Sequence, residues 1–439
     1  MTDPMLRGAL SAEDAAVFKP ATGAMRAIAT RKPTSFSAAT RLVIIATVPE
    51  TVMSFLVDQI RFLTNEGFEV HVITSPGLEN FPGHLELVSA RHEVSMTRAI
   101  DPIADLKSLV KIWRLLREIR PTIMQTRTPK AGLLGMIAGW LAHVPVRIYT
   151  VDGLPSSSHR KTGRALIAFS DWLACRLASQ VLCVSRSVRQ FMVGSGLCRC
   201  EKARVLGAGS VCGVDVRKFN PDACGISERN RIRGRYNIPR ESLVIGFVGR
   251  IVPDKGMAEL AYAWEALRAE YSQAHLLLCG YFEPVHPLPA SLAEKLSGDP
   301  RVHITGRWLN DMPAVYAALD VCVLPSYREG LSTVALESGA MRVPIVATRV
   351  PGCVDCVRNG VTGLLVEPRD AVALTGAIRR LLNDPQLRAQ IGAASRDFVS
   401  RRFSNDRTSI RVRDEYRRLI AKKRATMDLK DRTLVQPTA

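Results

Sequence analysis

The 439-residue sequence has no run of 18 or more apolar residues, so no segment reads as a bilayer-spanning helix. Its nearest approach, Ala131–Val146, contains His143 and Pro145 and reads as a buried core helix. Gly132, Gly135 and Gly139 within it suit close helix packing. Aromatic residues are only 6%, which argues against a base-stacking platform for single-stranded nucleic acid. A Gly-x-Gly-x-x-Gly turn is missing from both Ala46–Val52 and Gly249–Gly256, and Gly207-Ala-Gly209 supplies only its first half in a late loop. That excludes a dinucleotide oxidoreductase, and the P-loop pattern is absent as well. No Ser/His/Asp constellation is readable. Cys353-Val-Asp-Cys356 has CxxC spacing but no second pair and no His pair near it, so it reads as small residues rather than a metal or redox site. The N-terminus is rich in Ala, Thr and Ser without an apolar core, so no secretory signal is read and the ten cysteines are expected as reduced, cytosolic thiols.

What is present is positive charge. Lysine and arginine number 60 against 41 acidic residues, net +19. The excess is uneven: Lys111–Asn220 carries 18 basic and 5 acidic residues, Arg41–Val110 carries 5 and 9, and Arg401–Ala439 carries 12 and 5. Such a field suits phosphates or anionic lipid headgroups, or serves solubility alone. Nucleic-acid binding has charge in its favour and no motif.

The length fits two domains. Residues 1–40 read as a disordered tail. Strands Arg41–Thr47 and Phe68–Ile73 flank a helix Ser54–Glu66 closed by Gly67. Helix Asp105–Arg120, strand Thr122–Gln125, helix Lys130–His143, strand Val146–Val151, helix Arg160–Ser179, strand Gln180–Val184 and helix Arg186–Gly194 continue the alternation. Asn220-Pro221-Asp222 interrupts it. A second series has strands Leu243–Val248, Ala274–Cys279, Val302–Thr305, Val321–Leu324 and Pro344–Thr348, then helices Asp370–Asn383, Pro385–Val399 and about Asn405–Lys423. This is an α/β chain of two Rossmann-like, doubly wound parallel-sheet domains facing a cleft, divided as 41–222 and 223–400. A helix over 401–425 is expected to pack back toward the first domain, and 426–439 to be a disordered tail. Ligands of such folds sit at the carboxyl ends of the strands.

The second domain's first strand ends in Gly249-Arg250, and Asp254-Lys255-Gly256 precedes a helix. Two cations there suit a diphosphate, or are ordinary loop charge. Strand Val321–Leu324 leads to Glu329-Gly330-Leu331-Ser332 and a helix bearing Glu337. Both carboxylates can face the cleft, and Glu337, on an otherwise apolar helix, wants a partner. Backbone N–H groups at Gly330–Thr333 can bind an anion.

Gly249-Arg250, Asp254-Lys255-Gly256 and Glu329-Gly-Leu-Ser-Thr-Val-Ala-Leu-Glu337 together resemble the retaining glycosyltransferases of family 4, with the GT-B fold. Gln125–Gly135, Gly209–Asp215 and Val350–Cys353 resemble its branch that builds bacterial capsule, O-antigen and other lipid-linked glycans. The resemblance implies a nucleotide-sugar donor, here a UDP-sugar, and a polyprenyl-diphosphate-linked acceptor. It implies that Arg250 and Lys255 bind the donor diphosphate, that Glu337 binds ribose, and that Glu329 lies near the donor sugar. Gly249, Gly330, Leu331 and Ser332 add donor contacts, and Arg307 lines the base pocket. Where the family has His-Gly, this chain has Asp152-Gly153; an aspartate accepts from a sugar hydroxyl. Thr47–Val52 stands where the family has a glycine-rich loop. No Asp-x-Asp occurs, so no metal is expected and cations with helix N–H groups carry the leaving-group charge. The nucleotide-sugar counts as a substrate, so no cofactor is expected. A catalytically impaired binding paralogue and a nucleotide-sugar epimerase are the alternatives. Lys130 is either a contact for acceptor diphosphate or a plain helix-start lysine. Arg160, Lys161 and Arg164, ahead of Leu166, Phe169 and Trp172, either meet an anionic membrane or are solvated beside a core-facing stripe. The expected location is cytoplasmic, peripheral on the inner face of the membrane.

Overall fold

Short apolar runs closed by Gly, Pro and polar turns become parallel strands covered on both faces. The computed structural model describes residues 40–77, 88–97, 101–153, 161–210, 212–284, 286–306 and 311–434, without the side chains of 161–164 and 428–434. They belong to one unit spanning 38–439.

The first half runs β1 (Thr40–Ile45), α1 (Pro49–Phe55), α2 (Val57–Asn65), β2 (Phe68–Thr74), β3 (Ala90–Glu93), α3 (Pro102–Ile119), β4 (Ile123–Arg127), α4 (Pro129–Leu141), β5 (Val146–Val151), α5 (Lys161–Leu177), β6 (Gln180–Cys183), α6 (Arg186–Gly194) and β7 (Ala203–Arg204). Its strands form one parallel sheet in the order β3-β2-β1-β4-β5-β6-β7. The second half runs α7 (Pro221–Arg235), β8 (Leu243–Val248), α8 (Met257–Glu270), β9 (Ala274–Cys279), α9 (Ala290–Ser297), β10 (Val302–Ile304), α10 (Met312–Ala317), β11 (Val321–Leu324), α11 (Thr333–Ala340), β12 (Ile345–Thr348), α12 (Cys353–Cys356), β13 (Leu364–Val366), α13 (Ala371–Asn383), α14 (Pro385–Arg402) and α15 (Asn405–Leu434). Its sheet is ordered β10-β9-β8-β11-β12-β13. In each sheet the order reverses beside the first strand, between β1 and β4 and between β8 and β11. A crevice opens there at the carboxyl ends of the strands.

Several expectations change. The single helix Ser54–Glu66 is two helices: Pro49 starts α1 early, and Leu56, at φ −114°, breaks the rod and turns its side chain wholly into the core. Asn220-Pro221-Asp222 is a helix start. Asn220 Oδ1 accepts from Asp222 N at 3.2 Å, and Pro221 opens α7. The glycines of α4 pack on the sheet rather than on a helix, since a Cβ on Gly132, Gly135 or Gly139 would strike Tyr149, Thr126 or Met124. The last helix does not stop near Lys423. Helix formers continue to Leu434, short of Pro437.

The chain leaves the second half through α14, and α15 returns to the first. Tyr416, fully buried, donates to Gln125 Oε1 at 2.6 Å, and Arg417 pairs with Glu66 at 3.0 Å.

Candidate active site

The crevice of the second half is lined from β8 and β11. Gly280 approaches so closely that a Cβ there would lie 1.9 Å from the Gly249 carbonyl oxygen. The Arg250 side chain that follows donates to the buried Glu283 carboxylate. Gly256 has φ +70°, and its Cβ would lie 2.0 Å from the Pro325 carbonyl oxygen. Only glycine lets these two loops touch. That contact sets Lys255 against the β11 loop, where its Nζ donates to Glu329 Oε1 at 2.6 Å.

Ser332 caps α11, its Oγ accepting from Ala335 N at 3.1 Å. Glu337 lies on the second turn, where Tyr316 Oη donates to its Oε2 at 2.8 Å. Burial pushes the Glu337 carboxyl up to about 7, against the opposing pull of the Tyr316 hydroxyl and the Lys218 cation. Tyr316 is therefore the partner that a carboxylate on an apolar helix requires.

The first half contributes β4 and β5. Arg127, buried at the end of β4, donates through Nε to Asp152 Oδ2 at 3.1 Å and through Nη2 to Oδ1. Thr128 is held at φ +68°, an unusual value for a β-branched residue. Its hydroxyl lies 2.6 Å from that of Thr47, whose Oγ1 accepts from Ala131 N at 3.3 Å at the start of α4. Thr47 thus does a capping job in the segment that stands in place of the family's glycine-rich loop. The two halves meet at Asp152-Gly153: a Cβ on Gly330 would lie 1.8 Å from the Asp152 carbonyl oxygen. They meet again at Asp355, which accepts from Arg186 N and Ser187 N, each at 3.2 Å, and from the Ser187 hydroxyl. Gly352 N donates to Ser187 Oγ at 2.8 Å.

The structure thus gathers Lys255, Glu329, Gly330 and Asp152 at one place. Arg250 follows the end of β8 and Glu337 sits on the second turn of α11, each with its own partner. Leu331 is buried behind the loop. Lys130, at the start of α4, donates to Asp105 Oδ1 at 2.7 Å. Arg307 and Arg160 lie outside the described residues. Lys161 and Arg164 fall in the first turn of α5, their side chains outside the description. Cys353 and Cys356 are buried thiols on α12, and burial pushes Cys356 up to about 12. Among the described residues no group of three His, Cys, Asp or Glu could hold a metal ion.

Sequence reasoning missed Arg127, Glu283, Tyr316 and Asp355 as site residues. For Arg127 there was a signal: a cation closing an otherwise uncharged strand needs a buried anion. Glu283 and Tyr316 gave none, because their partners are 33 and 21 residues away in sequence.

Two family models match the chain: "Glycosyltransferase Family 4" over residues 53–209 and "Glycosyl transferases group 1" over residues 242–384. The Staphylococcus aureus capsular polysaccharide biosynthesis glycosyltransferase CapM is 34% identical over 348 residues, covering 79% of this chain and 89% of the relative. An Escherichia coli UDP-Gal:alpha-D-GlcNAc-diphosphoundecaprenol alpha-1,3-galactosyltransferase is 26% identical, covering 75% of this chain and 84% of the relative. Anabaena HepE, solved in complex with UDP and glucose, superposes with a TM-score of 0.72 at 20% identity over 86% of this chain and 99% of its own. The architecture is therefore GT-B, and the chain belongs to the family 4 glycosyltransferases.

Proposed function

We propose that this glycosyltransferase moves a sugar from a UDP-sugar to a polyprenyl-diphosphate-linked acceptor in bacterial surface-polysaccharide synthesis, with retention and without a metal. The observation that carries this reading is the cation pair Arg250 and Lys255 at the strand ends of the second half, beside the loop Glu329–Ser332. The diphosphate-linked acceptor named for the E. coli relative supports the acceptor class.

In this reading the donor diphosphate draws Arg250 from Glu283 and Lys255 from Glu329, and those cations stabilise it as it leaves. Glu337, held by Tyr316, accepts from the ribose hydroxyls. Glu329 faces the positive charge that develops on the sugar. Asp152, steadied by Arg127, accepts from a sugar hydroxyl. Gly249, Gly330, Leu331 and Ser332 shape the donor pocket, with Arg307 at the base. The departing diphosphate oxygen takes the acceptor proton on the same face as the new bond, so the sugar keeps its configuration and no protein nucleophile is needed. The half up to about residue 222 takes the acceptor, with Lys130 beside its diphosphate. The enzyme works from the cytoplasm, peripheral on the membrane's inner face, with Arg160, Lys161 and Arg164 contributing to that contact.

Nucleotide-sugar binding without transfer is the second reading, favoured by one observation: the carboxylate of Asp152 is already engaged by Arg127. UDP release from a panel of UDP-sugars, with a short-chain polyprenyl-diphosphate-sugar acceptor and excess EDTA, separates the two. Release that depends on acceptor, with an α-linked product from an α-linked donor, is expected. UDP binding without release establishes the second reading, and strict dependence on Mn²⁺ overturns the metal-free mechanism.

A further inference from the structure

Helices α3, α4 and α5 pack side by side as one layer, with α4 in the middle. A helix on a sheet normally turns its apolar stripe inward and a polar face outward. Here α4 has apolar surface on both sides. Its glycines and alanines lie on the sheet, and its outer stripe is Leu133, Ile137, Trp140 and Leu141, with Trp140 54% and Leu141 42% exposed. The flanking helices repeat the pattern. On α3, Ile103 and Leu106 are 72% and 61% exposed, and Val110 follows on the same stripe. On α5, Leu166, Phe169 and Trp172 are all exposed, the last two stacked with ring centroids 5.7 Å apart. Three adjacent helices thus turn large apolar groups to solvent, which marks an interaction surface.

Charge selects the partner. The outward stripe of α3 continues from Ile103, Leu106 and Val110 into Arg114 and Arg117, flanked by Lys107 and Lys111, all four cations exposed. The three helices contain only three acidic residues: Asp105, Glu118 and Asp171. Asp105 receives Lys130, Asp171 is buried beneath the Tyr149 hydroxyl at 2.8 Å, and only Glu118 is exposed. Tryptophans and apolar groups beside a nearly unopposed row of cations match the boundary between anionic headgroups and acyl chains.

We propose that the outer face of the α3–α4–α5 layer docks flat on an anionic bilayer. The proposal rests on the lipid-linked acceptor reading and moves the main lipid contact from the start of α5, where the sequence placed it, to α3 and the outside of α4. No helix among the described residues is long and apolar enough to cross the membrane, so the contact is a shallow one. It leads to the cleft, because α4 starts two residues after Arg127 and α5 follows Asp152 on the same strand edge.

The test uses the full chain with vesicles of phosphatidylcholine alone or mixed with phosphatidylglycerol, some carrying brominated acyl chains. Flotation only with anionic vesicles, and quenching of tryptophan fluorescence that is lost in Trp140→Phe/Trp172→Phe, are expected. Leu106→Asp/Phe169→Asp should lower vesicle affinity by about tenfold or more while UDP binding and transfer to a water-soluble short-chain acceptor are kept. Vesicle binding that these substitutions leave unchanged, or no binding of the parent chain at low salt, overturns the proposal. So does a dimer in sedimentation that the aspartates dissolve, since the face is then a protein interface. Failure of transfer to the short-chain acceptor with intact vesicle binding would count against the acceptor reading and not against the docking face.

Discussion

Arg127 reaches from the end of β4 to grip both carboxylate oxygens of Asp152 beyond the end of β5. The arginine is 1% exposed and the Asp152 side chain 25% exposed, so the pair is desolvated on one side only. Asp152→Ala leaves a buried guanidinium without its carboxylate and should cost about 3 kcal/mol, toward the low end for a buried pair because Asp152 is partly wet. Urea unfolding with an unchanged m-value measures it. Asp152→His should be no better tolerated, since an imidazole there faces the Arg127 donors. Changing both positions to histidine should recover part of the loss. Equal stability of Asp152→Ala and the parent chain would mean that the grip contributes nothing.

The pairs Lys255–Glu329 and Arg250–Glu283 hold the cations ready but neutralised. Lys255→Ala should lower UDP release by about 10²–10³-fold, the scale of one lost charge-assisted contact to a leaving group. Glu283→Gln removes the carboxylate paired with Arg250, which in the proposed reading competes with the donor diphosphate. It should tighten UDP binding by about fivefold, a small gain because Arg250 is partly solvated. UDP-release kinetics of Lys255→Ala and calorimetry of UDP binding to Glu283→Gln check these signs, and weaker UDP binding in Glu283→Gln would show that Glu283 orients Arg250 more than it competes.

If Glu337 binds the ribose as proposed, nucleotide binding should depend on pH. The Glu337 carboxyl is raised from 4.5 to about 7 in the folded chain, and ribose hydroxyls donate best to the ionised form. UDP affinity should therefore rise from pH 6 to pH 8 and level off above. The linked stability runs the other way: the folded state holds an extra proton, so this group's contribution is complete below about 4.5 and is lost as pH rises through about 7. Tyr316→Phe removes a donor that favours the carboxylate and should move the midpoint higher. In Glu337→Gln the pH dependence should flatten, and a midpoint that stays in place would assign it to another group.

The alternation of strands and helices was legible because strands buried on both faces read as continuous apolar runs, such as Leu243–Val248, closed by Gly249. The short edge strands β3 and β7 were not. Ala90-Arg-His-Glu93 carries charge, as exposed edges do, and has no apolar run to announce it. Candidate site residues were legible where a motif spaced them, as with Arg250, Lys255, Glu329 and Glu337. Their partners were not, because Tyr316 and Glu283 are placed by packing between separate elements. The exposed apolar face proposed to dock on lipid was half legible. The stripe Leu166, Phe169, Trp172 stood out, but Trp140 and Leu141 were read as core because α4 is apolar all round and periodicity cannot tell its two sides apart.

Asp355 joins the halves in a way that should separate binding from turnover in the proposed reading. Its carboxylate, carried on α12 of the second half, caps the amino end of α6 in the first half through Arg186 N and Ser187 N. Arg250, Lys255 and Glu337 all lie in the second half, whereas Asp152 lies in the first. Asp355→Ala should therefore cost about 1–2 kcal/mol as a lost cap and leave UDP affinity within about twofold. Transfer should fall further, because Asp152 and Gly153 are no longer held against Gly330. Amide exchange at Arg186 and Ser187 should quicken, since those N–H groups lose their acceptor. Asp355→Asn, which keeps one acceptor oxygen, should fall between the two. A variant that loses UDP binding in step with transfer would show that Asp355 supports the donor pocket itself, and the separation of roles between the halves would not stand.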